Sequence, residues 1–109
     1  RLDLVVVNRR ANILLYRNDT PATGHWLSLA LSQPGGNRHA VGAKVVLTTP
    51  QGTQTREVRI GGGHAGGQAL PLHFGLGAAT QADLSVTWPD GTTTTATAPA
   101  DTLTTLTYP

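Results

Sequence analysis

Imidazole binds metals and moves protons near neutral pH, so the four histidines His25, His39, His64 and His73 are the first residues to weigh for chemistry. Metal-binding pairs within one element normally stand a few residues apart, and none of these histidines is so spaced. No carboxylate clusters beside them in sequence. The acids are Asp3, Asp19, Glu57, Asp83, Asp90 and Asp101, and several sit in turn-like contexts where Asp closes backbone turns. Ser28, Ser32 and Ser85 lie in or next to strand-like runs, without a G-x-S-x-G elbow. The run Gly61–Gly67 lacks a Gly-Lys-Ser/Thr ending and opens no helix, so it is a turned loop and not a phosphate cradle. The expectation is a chain without catalytic residues, metal or cofactor. His73 is expected at the rim of the core beside Phe74, and His64 in a solvent-exposed loop.

Composition narrows the classes further. The 109 residues suit one ordinary domain with a real core. With no cysteine, disulfides, thiolate metal sites and a cysteine nucleophile are excluded. The net charge is +2 in a chain only 13% charged, and aromatics make up 5%. Nucleic-acid binding needs a basic stripe with interleaved aromatics, and neither is present. No run approaches the length of a membrane helix, so no membrane insertion is expected. A surface of Thr, Ser, Gln, Gly and Ala is weakly repulsive and suits packing against other protein chains. The chain opens on Arg1 directly before a strand-like segment, which reads as a piece of a longer protein.

The elements that position these residues are strands. Apolar residues recur with period two, and Thr, Val and Gly dominate. Leu4–Val7 and Ile13–Tyr16 form a hairpin across an Asn-rich connection, apolar on both faces and therefore in need of a cover on two sides. Asn18-Asp19-Thr20-Pro21 marks a boundary. In the strand from His25 to Leu31, Leu27, Leu29 and Leu31 share one face, while Trp26, Ser28 and Ala30 share the other. Ala43–Leu47 pairs back with Thr53–Ile60, with Val58 and Ile60 inward and Glu57 and Arg59 outward. A short strand over Leu72–Leu76 follows. Leu84, Val86 and Trp88 share a face before the Pro89-Asp90-Gly91 turn. Thr92–Thr97 pairs back, and its part Thr92–Thr95 is polar on both faces and belongs at a sheet edge. Thr102–Tyr108 is last. The fold class is all-β: a β-sandwich of about eight short antiparallel strands over 21–109, preceded by the hairpin at 1–20.

Four blocks carry a family resemblance: Asn37-Arg38-His39-Ala40-Val41-Gly42-Ala43-Lys44-Val45, Gln54-Thr55-Arg56-Glu57-Val58, Leu72-His73-Phe74-Gly75-Leu76-Gly77 and Val86-Thr87-Trp88-Pro89-Asp90-Gly91. On these, residues 26–108 resemble the ASPIC/UnbV domain of cartilage-acidic-protein-like and bacterial repeat proteins. Arg1–Asn8 resembles the end of an FG-GAP (VCBS-type) propeller repeat, and Ala11–Asp19 its next strand. The resemblance implies that Asp3 is the last carboxylate of a calcium loop whose other acids precede Arg1. One carboxylate cannot supply the oxygens that calcium needs, so no calcium is expected here. The chain departs from the family pattern at His39, where an aspartate is usual. It departs also at His64, usually aromatic, and at Gly66-Gly67, usually Ser-Gln.

These readings make the chain a non-catalytic interaction or assembly module, extracellular, cell-surface or periplasmic, with other protein chains as partners. It could serve as an accessory subunit of a larger extracytoplasmic complex. The contact candidates are Val5, Val7, Leu14, Tyr16, Trp26, Arg59 and His64. The alternative is a carbohydrate- or matrix-binding module with Trp26 or Tyr16 as a stacking platform.

Overall fold

A computed structural model describes residues 2–21, 24–63, 65–67 and 71–109. Its strands are β1 (Leu4–Val6), β2 (Leu14–Tyr16), β3 (His25–Ser32), β4 (Lys44–Thr49), β5 (Gly52–Glu57), β6 (Leu72–Gly77), β7 (Gln81–Thr87), β8 (Thr93–Pro99) and β9 (Thr102–Thr107). No helix occurs among the described residues. β1 and β2 pair alone. The others form a three-stranded sheet ordered β6-β3-β9 and a four-stranded sheet ordered β5-β4-β7-β8. The fold is a β-sandwich with a separate hairpin.

The core is written in the alternation. Leu27, Leu29 and Leu31 of β3 are buried, with Ser28 and Ala30 between them on the outer face. Across the gap they meet Val45 and Leu47 of β4 and Leu84 and Val86 of β7. Phe74 of β6 and Trp88, after β7, are the largest fully buried side chains. Trp88 stays in the core because its indole N–H donates to Thr94 Oγ1 at 2.9 Å, which removes the cost of an unpaired buried donor.

Each flank of the sandwich is closed by polar bonds. On one, Gln54 Nε2 of β5 donates to the Gly75 carbonyl of β6 at 2.6 Å, and the Arg56 guanidinium lies 5.3 Å from the Phe74 ring centre. On the other, the chain leaves β8, turns through Asp101 and enters β9 in the opposite sheet. Asp101 holds φ at +59°, a left-handed conformation that Asp tolerates better than most residues. Its N–H donates to the Trp26 carbonyl at 2.6 Å, which sets the start of the β3–β9 ladder.

The recognisable loop before β4 has a similar structural logic. Asn37 Oδ1 accepts from the Val41 N–H at 3.0 Å, and its Nδ2 donates to the Val41 carbonyl at 2.9 Å. Ala40 inside this loop is fully buried at φ +53°, so it has no room for a larger side chain.

The structure departs from the sequence reading in three places. β9 pairs parallel, not antiparallel, with β3, because the corner at Asp101 carries the chain to the other sheet before it runs on. β5 ends at Glu57, and Ile60 is 62% exposed rather than inward: the ladder stops where Val58 N–H meets the Ala43 carbonyl, and the chain then leaves for the glycine loop. The hairpin is not covered by the sandwich, and none of its residues joins the core. The edge expected for Thr92–Thr95 is found, since β8 is an outer strand.

Truncating a buried leucine removes both transfer energy and packing. Leu47→Ala is therefore expected to cost about 2–5 kcal/mol in urea unfolding followed by circular dichroism. Leu103→Ala, on the open face, is expected to cost no more than about 0.5 kcal/mol. Equal costs would contradict this assignment of inside and outside.

Candidate interaction surfaces

The register Leu4↔Tyr16, Val5↔Leu15 and Val6↔Leu14 sorts the hairpin's residues onto two faces. Val5 and Leu15 share one face; Leu4, Val6, Leu14 and Tyr16 share the other. Of the expected contact residues, Val5 and the pair Leu14 and Tyr16 therefore look in opposite directions. Val7 is 75% exposed and Leu15 74%, and Leu2, Leu4, Val5, Ile13 and Tyr16 are each more than half exposed. Leu15 was not among the expected contact residues, although the apolar run Ile13–Tyr16 contains it. Asp3 bonds locally: its Oδ1 accepts the Asn18 N–H at 2.8 Å, tying the two arms together.

Trp26 stands apart from the hairpin, on the outer face of the three-stranded sheet. It is half-buried, and its ring stacks on His73 with centroids 6.1 Å apart and planes at 17°. The register Ser28↔His73 puts Ser28 beside them, with Ser28 Oγ 3.3 Å from His73 Nδ1. His73 thus sits on the outer face, while its neighbour Phe74 points into the core. A nucleophilic serine needs a base that is itself oriented by a third group. Asp101, which accepts the N–H of neighbouring Trp26, is engaged elsewhere: its Oδ2 lies 2.7 Å from His25 Nδ1. Among the described residues no three His, Cys, Asp or Glu side chains converge.

Arg59 is exposed and pairs with Glu57 at 3.2 Å, a surface contact of small energetic weight. With His39 it contributes to a cavity of about 260 Å³, otherwise lined by apolar side chains including Leu29, Leu31, Val58, Ile60 and Leu72. No motif in the sequence marks this hollow, which is built by side chains of β3, β6 and the segment after β5. His64 lies outside the described residues. The Gly61–Gly67 loop around it is closed by a bridge between its end glycines. A Cβ on Gly67 would stand 2.9 Å from the Ile60 carbonyl, so that position requires glycine.

Two carboxyls are held below the usual carboxylate range. For Asp90 the main cause is the Tyr108 hydroxyl, which donates to Oδ2 at 2.5 Å, followed by the backbone N–H and hydroxyl of Thr92. For Asp101 the main cause is His25, supported by the Trp26 N–H. Tyr108 also stands edge-on to Trp88, with ring centroids 5.4 Å apart. Both networks pin the chain ends of β3, β8 and β9 and open onto no cleft of converging groups.

A family model described as ASPIC and UnbV matches residues 33–109. No curated protein and no solved structure matches the chain significantly. The match covers the Asn37 loop, the Gln54–Arg56 flank, β6 and the Trp88 turn, and it leaves the hairpin outside.

A carboxyl whose pKa is lower folded than unfolded contributes stability above its unfolded value and loses it as pH falls through its folded value. The protein should therefore lose stability as pH drops below about 4. Asp90→Asn keeps an acceptor for Tyr108 but cannot titrate, so its stability should fall less steeply with acid. Urea midpoints measured from neutral pH down to strong acid test this. An Asp90→Asn slope identical to wild type would contradict it.

Proposed function

Because the chain belongs to the ASPIC and UnbV family, we propose that it is a non-catalytic protein-interaction or assembly module of an exported or cell-surface protein. One observation carries this reading: a hairpin of two three-residue strands that is apolar and exposed on both faces. A two-stranded hairpin standing alone is at best marginally stable in water. Exposed apolar patches of this kind mark contact surfaces. With side chains directed to both sides, a neighbour must pack against each face before the apolar area leaves water.

The rest of the molecule supports the same reading. The residues that carry the family pattern close loops, fill the core or tie the two sheets together, and thus serve to hold a rigid body in shape. The finer possibility, an accessory subunit of a larger extracytoplasmic complex, belongs to this proposal and uses the hairpin surface.

A second reading rests on Trp26. A half-buried indole on an open sheet face, stacked on His73, offers an aromatic edge beside Ser28 and Leu103. A sugar ring could lie against such a surface. The two readings use different residues and separate cleanly.

Val5→Asp with Leu15→Asp should leave the sandwich's thermal midpoint unchanged, because neither residue touches the core. The same variant should weaken the contact made by the intact protein by about 30-fold or more, as loss of a central anchor does. Photo-crosslinking from position 15 in the intact protein, in its native source, reads the contact directly. A discrete protein adduct that the double variant abolishes is expected. No adduct from position 15, together with polysaccharide retention lost in Trp26→Ala, would overturn the assembly reading in favour of the glycan one.

A further inference from the structure

We propose that the open edge of β8 pairs antiparallel with β8 of a second copy of this chain, joining two four-stranded sheets into one. This surface is independent of the hairpin. The register of β7 with β8 runs unbroken over seven residue pairs, from Gln81↔Pro99 to Thr87↔Thr93. The Trp88 N–H donates to the Thr92 carbonyl at 2.8 Å, which fixes the phase of that ladder. By alternation, Thr94, Ala96 and Ala98 bond toward β7, while the backbone groups of Thr93, Thr95 and Thr97 face the open side. No strand lies there among the described residues.

Open edges are usually guarded by charge, proline or a bulge. The opposite edge of the same sheet is so guarded: β5 carries Arg56 and Glu57, and Gln54 is bound across to β6. β8 carries no charge and no bulge, and its one proline is its last residue. A two-fold axis at Thr95 matches this edge to itself, which is what an isologous contact requires. Thr93 then faces the second copy's Thr97, and Thr95 faces its own equivalent. Three such pairs contribute two hydrogen bonds each, six in all. Pro99 falls opposite Gly91 of the hairpin turn, where the ladder ends and its missing N–H is not needed. Side chains along the seam are Thr against Thr and Thr against Ala, with no like charges opposed. The nearest acid, Asp83, lies one strand in on β7 and accepts the Thr97 hydroxyl at 3.0 Å, while Asp90 and Asp101 lie beyond the ends of the seam and are engaged by Tyr108 and His25.

Six bonds correspond to about 600–1,200 Å² of buried surface, below or at the lower limit of stable interfaces. The pairing is therefore weak, with a dissociation constant between about 10 µM and 1 mM. Analytical ultracentrifugation of the full chain across that range should show a monomer–dimer equilibrium. Thr95→Pro removes the outward N–H without touching the bonds to β7, and two of the six bonds are lost. It should weaken the dimer by about tenfold or more. Thr95→Cys covers the case in which the proline variant does not fold. Paired Cα atoms about 5.5 Å apart suit a disulfide, and the wild-type chain contains no cysteine. Oxidation should link Thr95→Cys into a dimer at least about tenfold faster than Thr55→Cys on β5 or Thr105→Cys on β9. A monomer up to 1 mM overturns the proposal, about the highest concentration at which such pairing would count. So does equal or faster linking at position 55 or 105. A dimer lost in Val5→Asp with Leu15→Asp but kept in a folded Thr95→Pro also overturns it, while leaving the hairpin reading intact.

Discussion

Everything in this domain depends on one layer of side chains shared by two sheets. Phe74 anchors it toward the β5 and β6 flank and Trp88 toward the β8 and β9 flank, with the leucines and valines of β3, β4 and β7 between them. Because each strand turns every second residue inward, placing that layer fixes the outward set as well. Ser28, Ala30, Thr48, Ser85 and Thr95 face outward because Leu29, Leu47, Leu84 and Ala96 face inward. The outward surface is thus the geometric complement of the core. The polar ties at both flanks, Gln54 to Gly75 and Asp101 to Trp26, stop the sheets from sliding and so preserve that division.

The family pattern is explained by the same layer. Asn37 closes a loop that seats the buried Ala40. Arg56 covers Phe74, and Asp90 with Gly91 turns the chain after Trp88. Each of these residues has a place in folding. Chemistry-bearing types that the fold brings close, such as Ser28 with His73 and His25 with Asp101, form two separate pairs along β3. Outside the core stand an apolar hairpin, a half-buried Trp26 and an open strand edge.

Much of this was legible before any coordinates. The strict alternation in His25–Leu31 gave both faces of β3. The polarity of Thr92–Thr95 on both faces placed β8 at an edge, and its inward set of Thr94, Ala96 and the buried Ala98 adds little apolar area to the layer. The Pro-Asp-Gly turn located the β7–β8 hairpin. What was not legible depends on contacts far apart in the chain. The parallel pairing of β9 with β3 follows from Asp101 meeting Trp26 and His25, 75 and 76 residues away. The outward turn of Ile60 follows from where the β4–β5 ladder ends. The division of hairpin residues follows from a register that pairs Val5 with Leu15, and local pattern could not supply it.

Native-state hydrogen–deuterium exchange resolved by residue tests the central claim, that one shared layer makes residues 25–108 a single cooperative body with the hairpin outside it. The inward-bonded amides of β3, β4, β7 and β9 should exchange together, at the rate set by global unfolding. The amides of β1 and β2 should exchange orders of magnitude faster in the isolated chain. Hairpin amides protected to the same level as those of β3 would contradict the account.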